Sequence, residues 1–294
     1  FRRVLFRSEL LESRALKARY AGGHPYGEWM KNLIRLEDLE QAENGAAEDA
    51  AGPELREKRG ILCRAFHYTW EDLQNIVLPM AEKGTEPIVS MGADVPVAAL
   101  SKTHPSVYDY FRQRFAQVTN PPIDALREEV KTDCTIYVGD DGNLLSRGAE
   151  NSAVLELPSP VLTEEELRRI REIRHEDFSV RTVSLLYSKK DTLRAALDRF
   201  FETCDAACRD GVNILILSDR GVDSQNMAIP SLLAVSALEQ HLIRIRKRTA
   251  VSVILESGEP RDVHQLAMLT AYGARAVNPY LAHACIRDLC ESGE

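Results

Sequence analysis

The sequence lacks the short motifs that identify the commonest classes of enzyme. Its 294 residues contain no GxGxxG fingerprint, no GxxxxGK phosphate loop, no HExxH pair and no GxSxG elbow. The six cysteines form no CxxC pair and have no histidine neighbours at the spacing of a metal site. Dinucleotide-binding, P-loop, zinc-protease and α/β-hydrolase interpretations therefore lose their support.

Positive charge and long apolar runs are also scarce. Lysine and arginine number 37 against 45 acidic residues, which gives a net charge of −8, and no concentrated basic face is evident. We therefore expect no nucleic-acid partner. The longest apolar run lies near "IPSLLAVSAL" and is shorter than the ~18 residues of a membrane span, so we expect no membrane partner. With 44% apolar residues, the chain can bury a substantial core, and we expect a globular, soluble protein.

Cysteine usage predicts a reducing compartment. Cys204 and Cys208 share helical spacing with several leucines and phenylalanines, so both thiols fall on the apolar stripe of one predicted helix. That position favours structural burial, and a metal site is the less favoured alternative. Six free thiols are typical of a cytoplasmic protein, and we expect cytoplasmic localisation.

The first eight residues, "FRRVLFRS", need a separate interpretation. They are rich in arginine and free of acids, but "ELLES" follows at once without an apolar segment, so a targeting peptide is not favoured. They back-translate without a break into one reading frame of a common sequencing-library adapter. We expect residues 1–8 to be a non-native artefact, and the nucleotide sequence at the 5′ end tests this expectation.

The N-terminal part has patterns of helices and irregular chain. Apolar spacing predicts a helix from Glu9 to about Tyr20, and "QAENGAAEDAAGPELREK" has the composition of an acidic linker. In "YTWEDLQNIVLPMAEKG", Thr69 and Asp72 form a capping-box pattern that starts a helix. Pro79 is expected to kink or end that helix.

Three further segments precede residue 180. "PSVYDYFRQRFAQV" predicts a helix, "TIYVGDDGNLL" predicts a hairpin with a DG turn, and "LTEEELRRIREI" predicts an exposed helix capped by Thr163 with a solvated charged face. Between the first two lies "QVTNPPIDALREE". Pro121 and Pro122 form a stiff corner there, which by itself indicates a rigid junction between a loop and a helix.

From Val180 onward, strand and helix patterns alternate. The strand patterns are "VRTVSLLYS", "VNILILSD", "AVSVILESG" and "ARAVNPY"; the helix patterns are "DTLRAALDRFFETCDAACRDG", "IPSLLAVSALEQHLIRIRKR", "RDVHQLAMLTAYG" and "LAHACIRDL". This alternation implies parallel strands with right-handed crossovers, and the apolar strand centres imply a sheet covered on both faces. The predicted fold class is α/β, with parallel strand-helix units forming an incomplete barrel-like sheet after a helical and irregular N-terminal part.

Polar residues gather where three of these strands end. The candidates are Ser218, Asp219, Arg220, Glu256 and Asn278. Because functional groups in parallel α/β units lie beyond the carboxyl ends of strands, Asp219 or Glu256 is a candidate acid or base. Arg220 and the start of the next helix, near Pro230, are candidates for binding an anion. The favoured alternative is structural, with the same residues capping a helix or forming an ion pair. A lone His264 near the start of a helix is likewise more typical of a structural residue.

Six longer segments, taken together and in this order, resemble the large subunit of glutamate synthase in the region between its two catalytic domains. They are "GGHPYGEWMKNLIRLEDL", "FHYTWEDLQNIVLPMAEKGTEPIVSMGADVPVAALS", "YDYFRQRFAQVTNPPIDALREE", "ILILSDRGV", "IPSLLAVSALEQHLIR" and "ESGEPRDVHQLAMLTAYGARAVNPYLA". The resemblance runs from about Glu9 to Leu289 and is weak only across the acidic linker. It implies that residues 9–58 hold the tail of an amidotransferase domain and a linker, and that residues 59–294 form the central domain.

The resemblance also implies a role. In that family an amidotransferase domain releases ammonia from glutamine, and a barrel domain with FMN and an iron–sulfur cluster uses the ammonia to convert 2-oxoglutarate to glutamate. The central domain joins the two and helps to wall the ammonia path. The implied partners are those two domains of the same polypeptide and an electron-donor subunit or ferredoxin. Met91, Thr119 and Asn120 would lie near the mouth of the path, where the double-proline corner would hold the last two in place.

The resemblance transfers no catalytic residue to this sequence, because the family's nucleophile and its FMN domain lie outside the matching segments. We therefore expect this segment alone to bind no cofactor and to be inactive. It also departs from the family at Ala93 of "SMGAD", where an acidic residue is common. The alternative to a connecting domain is a free-standing α/β enzyme that acts through Asp219, Arg220 and Glu256.

Overall fold

The computed structural model describes residues 3–6, 9–39, 53–88, 100, 105–111 and 123–292. Before residue 180 the strands and helices are β1 (Arg3–Phe6), β2 (Glu9–Glu12), α1 (Ser13–Ala21), α2 (Tyr26–Trp29), β3 (Ile34–Arg35), α3 (Pro53–Ala65), α4 (Trp70–Asp72), α5 (Leu78–Lys83), α6 (Ala125–Lys131), β4 (Ile136–Val138), β5 (Leu155–Leu157) and α7 (Glu164–Arg171). Short 3₁₀ turns cover Met30–Asn32, Leu36–Asp38, Val107–Tyr110 and Ala149–Ser152, and a π-helical turn covers Leu73–Val77.

The second half alternates strands and helices as predicted. Its elements are β6 (Val180–Ser184), β7 (Leu186–Ser188), α8 (Leu193–Arg209), β8 (Ile214–Ser218), β9 (Asn226–Ala228), α9 (Ser231–Arg244), β10 (Ser252–Glu256), α10 (Val263–Ala271), β11 (Ala274–Asn278) and α11 (Tyr280–Ser292). The predicted strand "VRTVSLLYS" is divided into β6 and β7. Among the helices of the described residues, none combines the length and the apolar character needed to cross a membrane.

A four-stranded parallel sheet organises this half. Its strands lie in the order β11, β10, β8, β6, and every neighbouring pair is parallel. The short β7 and β9 pair with each other, antiparallel. Beside β11, the segment at 160–162 adds a parallel bridge, with Leu162 N–H donating to Val277 O at 2.9 Å. The described strands do not close into a barrel, so the predicted class of an incomplete barrel-like parallel sheet is confirmed.

Both faces of the sheet are covered, as the apolar strand centres predicted. On β8, Leu215 and Leu217 belong to a core shared with α8, α9 and α10, whereas Ile214 and Ile216 belong to a second core shared with β5 and α7. All four side chains are fully buried. Successive side chains of a strand point to opposite faces, so a strand covered on both sides has a continuous apolar sequence.

A third core attaches the N-terminal helices to the sheet half. Leu62 of α3, Phe66 just after it and Val77 of the π-helical turn pack with Leu281 and Cys285 of α11. Because α11 directly follows β11, this core places the N-terminal helices next to the end of the parallel sheet.

Side-chain caps start several helices where the sequence predicted them. Thr69 N–H donates to Asp72 Oδ2 at 2.8 Å, and Asp72 N–H donates to Thr69 Oγ1 at 3.0 Å, so this capping box is confirmed. Thr163 forms a second capping box with Glu166 at the start of α7. These interactions span three residues, so the local sequence contains all the information needed to predict them.

Pro79 does not end the helical run, which continues to Lys83 and stops at Gly84. The π-helical turn Leu73–Val77 lies immediately before α5, and Pro79 occupies the first turn of α5. A proline lacks the N–H that a helix interior requires, and the wider turn before it shifts the hydrogen-bond ladder at that point. Of the two predicted effects of this proline, an end of the helix is therefore wrong, and a kink stays a prediction.

Two other local predictions differ from the structure. The chain at Glu9–Glu12 is strand β2, paired antiparallel with β1, and the predicted first helix begins only at Ser13. In the predicted hairpin only β4 forms, and it pairs with β5 instead. Leu144 and Leu145 are 69% and 96% exposed, so the expected second strand has no core to pack against. The predicted acidic linker lies outside the described residues, except for its last residues in α3. Of the helix predicted over "PSVYDYFRQRFAQV", the described residues form only the 3₁₀ turn Val107–Tyr110, and the part after Phe111 lies outside them.

Candidate functional site

The carboxyl ends of β8, β10 and β11 bring the predicted polar residues to one edge of the sheet. In the register of the sheet, Ser218 lies beside Glu256, which lies beside Asn278. The pairing continues one residue further, because Asp219 N–H donates to Glu256 O at 3.2 Å and Ser257 N–H donates to Asn278 O at 3.0 Å. The parallel register therefore assembles this strand-end cluster, which comprises Ser218, Asp219, Arg220, Glu256 and Asn278.

Asp219 is buried in the cluster and surrounded by hydrogen-bond donors. Its carboxyl group accepts from Ser257 Oγ at 2.5 Å and from Gly258 N–H at 3.1 Å. The Tyr280 hydroxyl bonds to the same group. Burial raises the pKa of Asp219 to about 7, although these hydrogen bonds favour the ionised form. With the residue 1% exposed, its carboxyl group is out of reach of a substrate in solution.

Glu256 and Arg220 form an ion pair next to Asp219, in which Glu256 is buried and Arg220 is half-buried. Arg220 Nε donates to Glu256 Oε1 at 2.5 Å, and the Glu256 side chain is 2% exposed. Burial opposes the ionisation of Glu256, but the charges of Arg220 and Arg171 outweigh burial, so the pKa of Glu256 is lowered. The guanidinium of Arg220 also lies over the ring of Tyr280, 4.2 Å from its centroid. The pair is therefore charged at neutral pH, with Tyr280 in contact with its arginine and Arg171 in contact with its glutamate.

Helix α7 supplies two more partners to the cluster. Arg171 Nη2 donates to Glu256 Oε2 at 2.8 Å, and Arg220 Nη2 donates to Glu164. The prediction that the charges of this helix form a solvated face is wrong for Glu164, which is largely buried against Arg220, whereas Arg171 is exposed and also reaches the buried Glu256. Their partners lie 56 and 85 residues away along the chain, and such distant pairs leave no local pattern in the sequence.

Asn278 and Ser218 complete the cluster. Asn278 is fully buried, its Nδ2 donates to Leu162 O at 2.9 Å, and its Oδ1 has no partner among the described residues. Ser218 Oγ accepts from Arg220 N–H at 3.3 Å, and the same side chain hydrogen-bonds to Glu256. Both side chains therefore bind neighbouring segments of this chain.

The start of α9, which the sequence suggested for an external anion, is occupied by Glu259. Its carboxylate accepts from Ser231 N–H at 2.7 Å and from the Ser231 hydroxyl. The Ser231 hydroxyl also bonds to the Tyr108 hydroxyl at 2.7 Å. A carboxylate at a helix N-terminus satisfies an unpaired N–H and interacts favourably with the helix dipole. Both groups proposed for an external anion, this helix start and Arg220, are thus paired within the chain.

Arg261, which sequence reasoning did not identify, joins this edge to the N-terminal helices. Its guanidinium donates to Phe66 O at 3.2 Å and to His67 O at 3.0 Å, and it pairs with Asp72 at 3.1 Å. It also lies over the Tyr68 ring, 4.6 Å from the centroid. The contacts to backbone carbonyls could not be found in the sequence, since every residue type offers a carbonyl and these two lie 195 and 194 residues away.

The remaining predicted residues are not part of the cluster. Met91, Thr119 and Asn120 lie outside the described residues, as do Pro121 and Pro122. His264 is the second residue of α10 and is exposed.

The cysteines do not fit a cluster-binding site. Cys204 is fully buried and Cys208 packs partly against the same core, so their predicted structural role is confirmed. Over the ranges that the structure describes, no group of three or more His, Cys, Asp and Glu side chains is arranged to hold a metal ion. An iron–sulfur cluster needs four ligands, mostly cysteine thiolates, so these residues do not fit one.

Comparisons with known proteins agree on one family. A family model described as "Glutamate synthase central domain" matches residues 62–294. The chain is 40% identical over 289 residues to the glutamate synthase (NADPH) large chain of Bacillus subtilis and 38% identical over 292 residues to ferredoxin-dependent glutamate synthase 2 of Synechocystis. It is 34% identical over 285 residues to glutamate synthase (NADH) of Saccharomyces cerevisiae.

These alignments cover nearly all of this chain and a small part of each relative. The covered share of this chain is 97%, 97% and 93%, respectively, and the covered share of the relatives is 18%, 18% and 13%. The chain therefore spans less than a fifth of the length of these curated relatives.

Proposed function

The chain belongs to the glutamate synthase central-domain family, and we propose that it is the connecting domain of a glutamate synthase large chain. The longer polypeptide forms glutamate from glutamine and 2-oxoglutarate. Residues 59–294 are the central domain, and residues 9–58 are the tail of the amidotransferase domain and a linker. The family match over residues 62–294 and the relatives' names support this assignment.

The strand-end cluster supports a connecting rather than a catalytic role, because its charged side chains are paired with other groups of the same chain. Arg220 is bound by Glu256 and Glu164, and Arg171 holds the second oxygen of Glu256. Asp219 has a pKa of about 7, which suits an acid or base, but it is 1% exposed and bonded to its own chain. The charged groups that would bind a substrate or transfer a proton are therefore already paired within the chain.

Packing within the domain also connects its two ends. Helix α3 follows the segment that leads from the amidotransferase domain, and α11 leads toward the FMN-binding domain. The two helices pack directly against each other in the third core. Arg261 adds a polar connection between the loop after β10 and the carbonyls of Phe66 and His67, just after α3. A fixed contact between the two ends of the domain would hold the flanking catalytic domains at a constant separation.

A second part of the role is to wall the ammonia path. By likeness to the family, Met91, Thr119 and Asn120 border the mouth of the path. Each proline of the Pro121–Pro122 corner fixes its own φ and restricts the residue before it, so the corner limits the freedom of Asn120. A loose loop at this position would let ammonia escape to solvent before it reaches the second site.

Cofactors and donors belong to the longer polypeptide. FMN and an iron–sulfur cluster are carried by the FMN-binding domain, and the electrons come from a donor subunit or from ferredoxin. Relatives of similar identity are named for NADPH, ferredoxin and NADH, so the likeness of this segment does not select a donor. The six free thiols support a reducing compartment, and we place the enzyme in the cytoplasm.

Arg261 provides the test of the connecting role. In the complete polypeptide, Arg261→Met keeps the apolar stem and removes the bonds to Phe66, His67 and Asp72. We expect glutamine hydrolysis and glutamate synthesis from added ammonia to persist at equal folded concentration. The glutamate formed per glutamine consumed should fall, because the two ends of the domain are less firmly joined.

The matched control is Arg244→Met, an exposed arginine at the end of α9. It should leave the ratio unchanged. If Arg261→Met also leaves the ratio unchanged while the folded enzyme keeps both partial reactions, the connection made by Arg261 has no role in coupling. If it removes one partial reaction outright in folded enzyme, the cluster edge takes part in chemistry and the connecting role is wrong.

A further inference from the structure

Two cysteines face each other across the contact between α3 and α11. Cys63 Sγ and Cys285 Sγ lie 3.7 Å apart and share a hydrogen bond, although 222 residues separate them in sequence. Both thiols are free. A disulfide requires about 2.05 Å between the sulfurs, so these two atoms need to approach by only about 1.6 Å.

The charges around the pair make the two sulfurs chemically different. Arg59, Arg64 and Arg261 surround Cys63. The hydrogen bond from Cys285 and these positive charges lower the pKa of Cys63 against the opposing effect of burial. The same hydrogen bond, with burial, raises the pKa of Cys285. Cys63 is therefore the sulfur of the pair that ionises more readily, and Cys285 the one that more readily keeps its proton.

Accessibility divides the pair in the same way. Cys63 is partly exposed and Cys285 is 4% exposed, so an oxidant in solution meets Cys63 first. One helical turn before Cys63, Arg59 forms an ion pair with Asp288 of α11, which keeps the two helices in register at this point. An accessible cysteine with a lowered pKa beside a second cysteine is the arrangement of a redox-sensitive cysteine and its resolving partner.

We propose that Cys63 and Cys285 form a peroxide-sensitive dithiol that closes to a disulfide between α3 and α11. The Cys63 sulfur attacks one oxygen of hydrogen peroxide, an S–O bond forms, and the O–O bond breaks with loss of hydroxide. The Cys285 sulfur then attacks the resulting sulfenic acid, an S–S bond forms, and the S–O bond breaks. The second hydroxide leaves as water with the Cys285 proton. Cys63 reacts in its ionised form, so the Cys63 thiolate and the Cys285 thiol together lose two electrons, and one peroxide becomes one water and one hydroxide.

The disulfide would join covalently the two helices whose contact connects the ends of the domain. It closes a loop that contains all four strands of the parallel sheet, and a thiol reductant reopens it. The proposal rests on the two sulfurs and their surroundings and is independent of the reaction of the longer polypeptide.

Peptide mapping of the full chain tests the proposal directly. The native chain is treated with equimolar hydrogen peroxide, its remaining thiols are alkylated, and it is digested with trypsin without reduction. Trypsin places Cys63 on the peptide 60–64, Cys285 on 276–287 and Cys290 on 288–294, so the possible partners are separated. We expect the linked pair 60–64 with 276–287, and its disappearance after dithiothreitol.

Cysteine-to-serine variants show which cysteine reacts in each of the two steps. Cys285→Ser should leave Cys63 as a sulfenic acid that dimedone traps, and Cys63→Ser should leave Cys285 alkylated after the same treatment. Cys134→Ser, which removes an exposed cysteine elsewhere, should leave the linked pair unchanged. If either serine variant fails to fold, the map of the unaltered chain decides alone. Oxidation of Cys134 or Cys290 before Cys63, pairing of 60–64 with 288–294, or equally fast linkage in urea would each overturn the proposal.

Discussion

At the residue scale, Asp219 and Glu256 show that burial alone does not set the protonation of a carboxyl group. Asp219 directly follows β8 and Glu256 is the last residue of the neighbouring strand β10. Asp219 is 1% exposed and Glu256 is 2% exposed. Burial raises the pKa of Asp219 to about 7, whereas the pKa of Glu256 is lowered despite burial. The difference is the partner, because Glu256 faces two guanidinium groups and Asp219 faces neutral donors.

Asp219 should make the stability of the chain depend on pH in a predictable direction. Its folded pKa of about 7 lies above the ordinary value of 3.8, so between these values the folded chain holds a proton that the unfolded chain has lost. The stabilising contribution is complete below the lower value and is lost as pH rises through the upper one. In Asp219→Asn this decline of the free energy of unfolding should be absent, a change of up to roughly 4 kcal/mol across the window.

Urea unfolding at a series of pH values measures this slope for both chains. The control Asp198→Asn alters an exposed carboxyl group on α8 and should keep the slope of the unaltered chain. Identical slopes for the unaltered chain and Asp219→Asn would show that Asp219 is ionised throughout and that burial does not govern its titration.

Gly258 should tolerate no larger side chain. A Cβ atom at this position would lie 2.6 Å from Cε2 of the Phe66 ring, which packs edge-on against Tyr280 at 6.5 Å. We expect Gly258→Ala to lower the free energy of unfolding by about 1–3 kcal/mol through overpacking. The control Gly60→Ala lies on α3, where the added methyl group meets nothing within 4 Å, and it should raise stability by about 0.5–1 kcal/mol. Equal effects of the two variants in chemical denaturation would contradict this account.

At the scale of elements, the sequence predicts the start of α7 but not where its charges go. The capping box of Thr163 and Glu166 spans three residues and is visible in the sequence. The pairing of Arg171 with Glu256 depends on packing α7 beside the strand ends, which no local pattern encodes. The same distinction explains why the predicted hairpin does not form. The turn signal is present in the sequence, but Leu144 and Leu145 have no core to pack against.

The contact of α7 with the cluster should contribute more than its surface ion pairs. A double-mutant cycle with Arg171→Met and Glu256→Gln should give a coupling free energy of about 1–3 kcal/mol, because one partner is removed from solvent. In the matched cycle in the same helix, Arg168→Met with Glu172→Gln, neither partner is buried, and the coupling free energy should be smaller. Thermal or chemical unfolding of the four variants of each cycle provides both numbers, and a larger value for the surface pair would contradict the account.

At the scale of the whole molecule, alternation of strands and helices is enough to predict the parallel sheet. The order β11, β10, β8, β6 follows from right-handed crossovers between successive strands. What the alternation does not predict is how the N-terminal helices attach, because the contacts of Arg261 and of Cys63 with Cys285 join residues about two hundred positions apart. The family motifs, rather than any single residue pattern, identify the domain and the role that we propose for it.

At the same scale, we propose that this chain connects the two reactions of the longer polypeptide without performing either. Thr119→Phe in the complete polypeptide tests it most directly, with the exposed Thr203→Phe on α8 as the control for an added aromatic ring. If Thr119 borders the ammonia path as we propose, a bulky side chain there should obstruct transfer and leave glutamine hydrolysis intact. The measurement is glutamate formed per glutamine consumed at equal folded concentration. We predict that this ratio falls for Thr119→Phe, with released ammonia making up the difference, and stays constant for the control. A ratio equal to that of the unaltered enzyme, with both reactions reduced together by a stability loss of about 1 kcal/mol, would contradict the claim at this residue.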